Sequence, residues 1–67
     1  MEELKQQSIS LKAARINAGL SQEEAAKRLH KTPAQISYLE RRPGKVTLET
    51  AWEMSKLYNI PVWALAP

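Results

Sequence analysis

The 67-residue chain contains no cysteine, no aspartate and no phenylalanine, and only one histidine. The missing cysteines exclude disulfides, thiolate zinc sites and thiol nucleophiles together, a pattern that fits a reducing compartment. With no aspartate and with His30 alone, the chain can assemble neither a histidine-rich metal site nor an Asp-oriented triad. Glutamates by themselves are weak grounds for catalysis, so an enzyme is not expected, nor any cofactor, metal or small-molecule ligand. No apolar run approaches the ~20 residues of a membrane span, and the opening MEELKQQS lacks the basic-then-apolar order of a signal peptide. These absences lead us to expect a soluble, cytoplasmic protein with no membrane partner.

What remains is a short, basic, alanine- and leucine-rich chain. Its length suits one small domain with one modest core, and a hydrophobic content of 43% without phenylalanine suits close packing of helices. The net charge is +3, but it is unevenly placed. Between Lys27 and Lys45 lie Lys27, Arg28, Lys31, Arg41, Arg42 and Lys45 against Glu40 alone, which leaves the rest of the chain slightly acidic. A basic patch of this kind is the electrostatic footprint of a nucleic-acid binder, although charge alone does not separate it from a solvated basic surface.

The apolar periodicity predicts an all-α fold of five helices without strands. Residues 1–8 form a polar arm or first turn, and residues 9–67 a single domain. The first helix runs from Ile9 to Ala18 with Leu11, Ala14 and Ala18 on one stripe, and Gly19 stops it. Ser21 opens the second as S-x-x-E, a capping box with Glu24, and the helix continues through Ala25, Ala26 and Leu29. Thr32 opens the third as T-x-x-Q with Gln35, and Pro33 stands at the first helical position, where a missing N–H costs nothing. Ile36 and Leu39 face inward, and Pro43-Gly44 ends the helix. The fourth runs from Thr47 to Tyr58 with Leu48, Ala51, Ser55 and Tyr58 along its stripe, flanked by Trp52 and Met54, and Asn59 serves as a left-handed terminator. We expect Trp52 and Tyr58 in the core or at its edge. A last short helix covers Pro61 to Leu65.

The second and third helices are separated by about three residues, the spacing of a helix-turn-helix. At about 100° per residue, Ile36 and Leu39 of the third helix point one way while Ala34, Tyr38 and Arg41 point the other, with Pro33 and Ser37 on the flank. Cations at a helix C-terminus are favourable by dipole alone, which accounts for Arg41 and Arg42 singly. Lys31 before the helix and Lys45 after it are not covered by that explanation. An α-helix fits the major groove of B-DNA, where such a face reaches base edges while flanking cations take phosphates.

From about Leu11 to Leu65 the sequence resembles the XRE/Cro-type helix-turn-helix domains of phage repressors and bacterial regulators, a lambda-repressor-like family. The resemblance rests on LKAARINAGLSQ (11–22), SQEEAAKRL with Ala26 at the small position between two helices, the inward pair Ile36 and Leu39, the Leu39-Glu40 ending, and TLET followed by NIPVWAL. It implies a compact five-helix DNA-binding domain, commonly dimeric on a two-fold operator, with its third helix in the major groove of double-stranded DNA. It implies base contacts by Pro33, Ala34 and Tyr38, with Thr32, Gln35 and Ser37 close to the groove. Gln22 matches a phosphate-contacting position, and Arg41, Arg42, Lys45 and the amides near Gly44 match a loop along the backbone. Arg15 and Glu40 match a structural pair tying the first helix to the third, and Trp63 lies where related domains often make their two-fold contact. The family suggests a repressor of phage, plasmid or chromosomal origin, acting as a homodimer at the nucleoid.

Three departures from the family pattern carry consequences. His30 stands where glycine is common in the turn, so it must adopt a left-handed backbone or reshape the turn. Lys31 replaces a usually apolar residue. Pro33 and Ala34 replace hydrogen-bonding residues, so specificity leans on thymine methyls, Gln35, Tyr38 and DNA shape. An alternative stays open at this stage: an interaction module that uses the same fold to bind a protein, with the basic face incidental.

Overall fold

A computed structural model describes residues 9–65; the expected polar arm at 1–8 and the final two residues lie outside it. Four α-helices succeed one another: α1 (Leu11–Asn17), α2 (Gln22–Leu29), α3 (Pro33–Arg41) and α4 (Leu48–Tyr58). Single 3-10 turns lie at Pro43–Lys45 and Val62–Ala64. The fifth helix expected at Pro61–Leu65 is therefore only one turn of 3-10 helix. Pro61 enters it in extended geometry, and the chain leaves it at once into an isolated bridge between Leu65 and Ile9. That bridge also moves the start of the first helix. The Ile9 amide donates to the Ala64 carbonyl at 2.8 Å, so Ile9 belongs to the bridge and α1 begins at Leu11 under a Ser10 cap.

Three helices end in the same way, and the residues that end them are legible in the sequence. Gly19, His30 and Asn59 all carry positive φ, at 78°, 58° and 60°. After each, the next amide reaches back five residues: Leu20 to Arg15, Lys31 to Ala26 and Ile60 to Ser55. This satisfies carbonyls that a helix end would otherwise leave unpaired. Of the two openings for His30, the chain takes the left-handed one. Both capping boxes are present. Ser21 Oγ accepts the Glu24 amide at 3.0 Å while the Ser21 amide donates to Glu24 at 2.8 Å, which holds the Glu24 carboxyl below the usual carboxylate range.

The core is built from Leu11 and Ala14 of α1, Ala25, Ala26 and Leu29 of α2, Ile36 of α3, and Met54 and Tyr58 of α4. Ala25 and Ala26 are closed off completely, which lets α2 and α3 make the most extensive contact of any pair of elements. Three expected inward positions are not inward. Ala18 is exposed because α1 ends at Asn17, and Arg15 takes the buried place instead. On α4 the buried residues are Thr50, Met54 and, as expected, Ser55 and Tyr58, so Leu48 and Trp52 fall on the flank and stand 73% and 53% exposed. The apolar positions of α4 cover more than one face, and only contact with the rest of the fold selects which face is buried.

Candidate nucleic-acid interface

Behind α3 lies a polar network that fixes its orientation. Arg15 Nε donates to Glu40 Oε2 at 2.6 Å, and a second guanidinium nitrogen lies 3.4 Å from Oε1. The third guanidinium nitrogen donates to the Leu20 carbonyl at 2.8 Å, and Gln22 Nε2 donates to Glu40 Oε1 at 3.2 Å. Both charged side chains are sealed, at 8% and 6% exposure. The Glu40 carboxylate thus ties α1 and the first turn of α2 to the C-terminal end of α3, and the Arg15 guanidinium adds the loop before α2. Gln22, expected at a phosphate, is half-buried with one N–H committed to Glu40, so only its other N–H is left to face a phosphate.

The opposite side of α3 faces solvent. Pro33, Ala34, Gln35, Tyr38 and Arg41 are exposed and Ser37 is half-exposed, while Ile36 is fully buried. Tyr38, at 40% exposure, is the large apolar surface of this face. Two of the polar groups have partners. Thr32 Oγ1 accepts the Gln35 amide at 3.1 Å, and Gln35 Oε1 accepts the Thr32 amide at 2.8 Å. Such a box contributes about 1 kcal/mol, and breaking it would leave helix-terminal amides without acceptors. One turn further on, Arg41 donates to Ser37 Oγ at 2.7 Å, which lays the guanidinium along the helix. The Thr32–Gln35 box is the one the T-x-x-Q pattern predicts, whereas the Arg41–Ser37 contact was not among the expectations, although it follows from helix spacing of four residues.

The flanking cations sit at the two ends of this face. Lys31 lies half-buried in the turn before α3; Arg42 caps its end, and Lys45 closes the following 3-10 turn, both exposed. Gly44 is in that turn, with nothing within 4 Å of where a Cβ would stand. The arrangement is an exposed helix face, apolar at its start and aromatic in its middle, bracketed by positive charge and anchored from behind.

A family model described as Helix-turn-helix matches residues 11–62. The chain belongs to the XRE-type helix-turn-helix family. Comparison with curated proteins and with solved structures gives no match. The matched span covers the four helices of the described residues and the entire basic stretch, and the family is one of DNA-binding regulatory domains. No described helix of this helix-turn-helix domain is long and apolar enough to cross a membrane. Among the described residues no group of three or more His, Cys, Asp or Glu is placed to hold a metal ion.

Away from α3, the domain carries a second exposed feature. Trp63 stands 71% exposed on the last turn, and its chain neighbour Val62 helps to line an open apolar groove with Leu11, Val46, Leu48, Ala51 and Leu65. The Tyr58 hydroxyl is the one buried side-chain polar atom among the described residues without a hydrogen-bond partner. Burial, reinforced by the Glu40 charge and opposed by Arg15, pushes its pKa up to about 12.

Proposed function

We propose that this helix-turn-helix domain is a sequence-specific double-stranded DNA-binding transcriptional regulator, acting as a repressor. In this reading α2 and α3 are the helix-turn-helix pair, and α3 lies in the major groove. Pro33, Ala34 and Tyr38 face the bases, with Thr32, Gln35 and Ser37 beside them. Gln22, Lys31, Arg41, Arg42 and Lys45 take phosphates. Residues 9–67 act as one domain, working at the nucleoid of a bacterial or phage-infected cell. The observation that carries the reading is the outward face of α3, with Tyr38 40% exposed in its middle and cations at both ends, held in place by the Arg15–Glu40–Gln22 network.

The same reading makes the working unit a homodimer on half-sites about one helical turn apart. A second copy is the natural cover for Trp63 and the groove beside it, since an apolar surface of this kind left in water forgoes its burial energy.

Selection from a random duplex pool with the full 67-residue chain tests the proposal. A family of related sequences should enrich, and if each copy takes about three phosphates, log K against log salt should slope near −5. Failure to enrich any sequence at low salt refutes specific recognition, and a flat salt dependence removes the basic groups from the interface.

A second reading, a protein-interaction module on the same fold, draws on the exposure of Leu48, Trp52 and Trp63. Tyr38→Ala combined with Arg41→Ala separates the two. Under the DNA-binding reading it abolishes enrichment and leaves the melting temperature close to that of the parent, because both side chains are exposed.

A further inference from the structure

The capping box at the start of α3 decides what Gln35 can say to a base. A glutamine normally recognises adenine with its whole amide, accepting from the N6 amino group and donating to N7. Here Gln35 Oε1 already accepts the Thr32 amide at 2.8 Å. The carboxamide is planar, so fixing Oε1 against the turn fixes Nε2 on the other side, and Nε2 has no partner among the described hydrogen bonds. Its neighbours in the first turn, Pro33 and Ala34, are exposed and offer only a pyrrolidine ring and a methyl group.

Resting on the reading of α3 as the DNA-contacting helix, we propose that its first turn is a thymine reader that presents a hydrogen-bond donor between apolar groups. Pro33 and Ala34 pack on thymine 5-methyl groups, and Gln35 donates through Nε2 to an acceptor edge, thymine O4 first. Adenine is the poorer partner for Gln35: one lone pair of Oε1 is spent on the Thr32 amide and the oxygen is held there, so the carboxamide is not free to turn both of its ends onto N6 and N7. The box serves two purposes at once: it starts the helix, and it orients the Gln35 carboxamide with Nε2 as its free end.

The test uses the duplexes enriched from the random pool. Replacing thymine by deoxyuracil one position at a time removes only the methyl. One or two positions per half-site should each weaken binding about fourfold, and the others should be unaffected. The protein-side arm is Gln35→Glu, which keeps a side-chain oxygen for the Thr32 amide and loses the donor. It should leave the melting temperature unchanged while moving the preferred base at the pair facing Gln35 away from an acceptor edge. Full affinity in a duplex with every thymine replaced by deoxyuracil overturns the proposal, as does an unchanged base preference of the glutamate variant at that pair. Those outcomes presuppose enriched duplexes, so they are distinct from failure of DNA binding, in which nothing enriches.

Discussion

Changing Glu40 to glutamine removes one charge and almost no volume, and the structure gives the cost. In the parent, the Arg15 guanidinium has Glu40 at 2.6 and 3.4 Å and the Leu20 carbonyl at 2.8 Å, at 8% side-chain exposure. In Glu40→Gln the guanidinium stays buried and charged, one of its two facing oxygens becomes an amide nitrogen, and only the Leu20 carbonyl is undisturbed. Breaking a shielded pair in this way typically costs ~3–5 kcal/mol, because the stranded charge cannot be rehydrated. In a domain of this size each kcal/mol moves the melting temperature by roughly 4–8 °C, so the drop should be at least about 12 °C. Thermal denaturation followed by circular dichroism at neutral pH measures it. A fall of less than about 4 °C would refute the reasoning, since that is what an exposed surface pair contributes. A second variant checks the cause: replacing both partners by apolar residues, Arg15→Met with Glu40→Leu, strands no charge and should recover much of the loss.

The turn, the core and the apolar surface each give a further expectation. His30→Gly removes the left-handed penalty at φ 58° and, after the larger chain entropy of glycine is allowed for, should raise stability by about 0.5 kcal/mol; His30→Val should lower it, and a less stable glycine variant contradicts the assignment. Tyr58→Phe deletes a buried hydroxyl without a partner and should change stability by less than about 1 kcal/mol; a large loss in chemical denaturation would mean the hydroxyl is bonded. Because the folded protein keeps Tyr58 protonated up to about 12 while the unfolded chain ionises near 10, the parent should lose stability as pH rises through that window. The phenylalanine variant should lose less, as denaturation at pH 8 and pH 11 will show. Trp63→Glu should weaken self-association more than tenfold in sedimentation, given ~2 kcal/mol for burying a large apolar side chain, with melting temperature unchanged at high dilution; unaltered association removes this face from the dimer.

Local chemistry was strongly written in the chain. The S-x-x-E and T-x-x-Q starts, the proline at the first position of α3 and the left-handed terminators Gly19 and Asn59 depend on residues within a few positions of one another. Each could be read without knowing the fold. The split between Ile36 and the Ala34–Tyr38–Arg41 face of α3 was legible for the same reason, since a helix nine residues long with one buried stripe has only one consistent wheel. His30 was legible as an alternative: its backbone had to turn left or the turn had to change shape.

What the sequence determined by itself, then, is where α2, α3 and α4 begin, which residues terminate the helices at Gly19 and Asn59, and which side of α3 is outward, because those are settled by hydrogen bonds and periodicity over three to five residues. The tertiary structure alone decided which face of α4 is buried, leaving Leu48 and Trp52 outside, and it shrank the last helix to a turn tied to Ile9. It also decided that Glu40 gathers both Arg15 and Gln22, partners 25 and 18 residues away. The physical reason is the same in each case. A helix with apolar residues on more than one face has no intrinsic inside, and a buried charge has no intrinsic partner. Both are chosen by the neighbours that the rest of the chain brings to them.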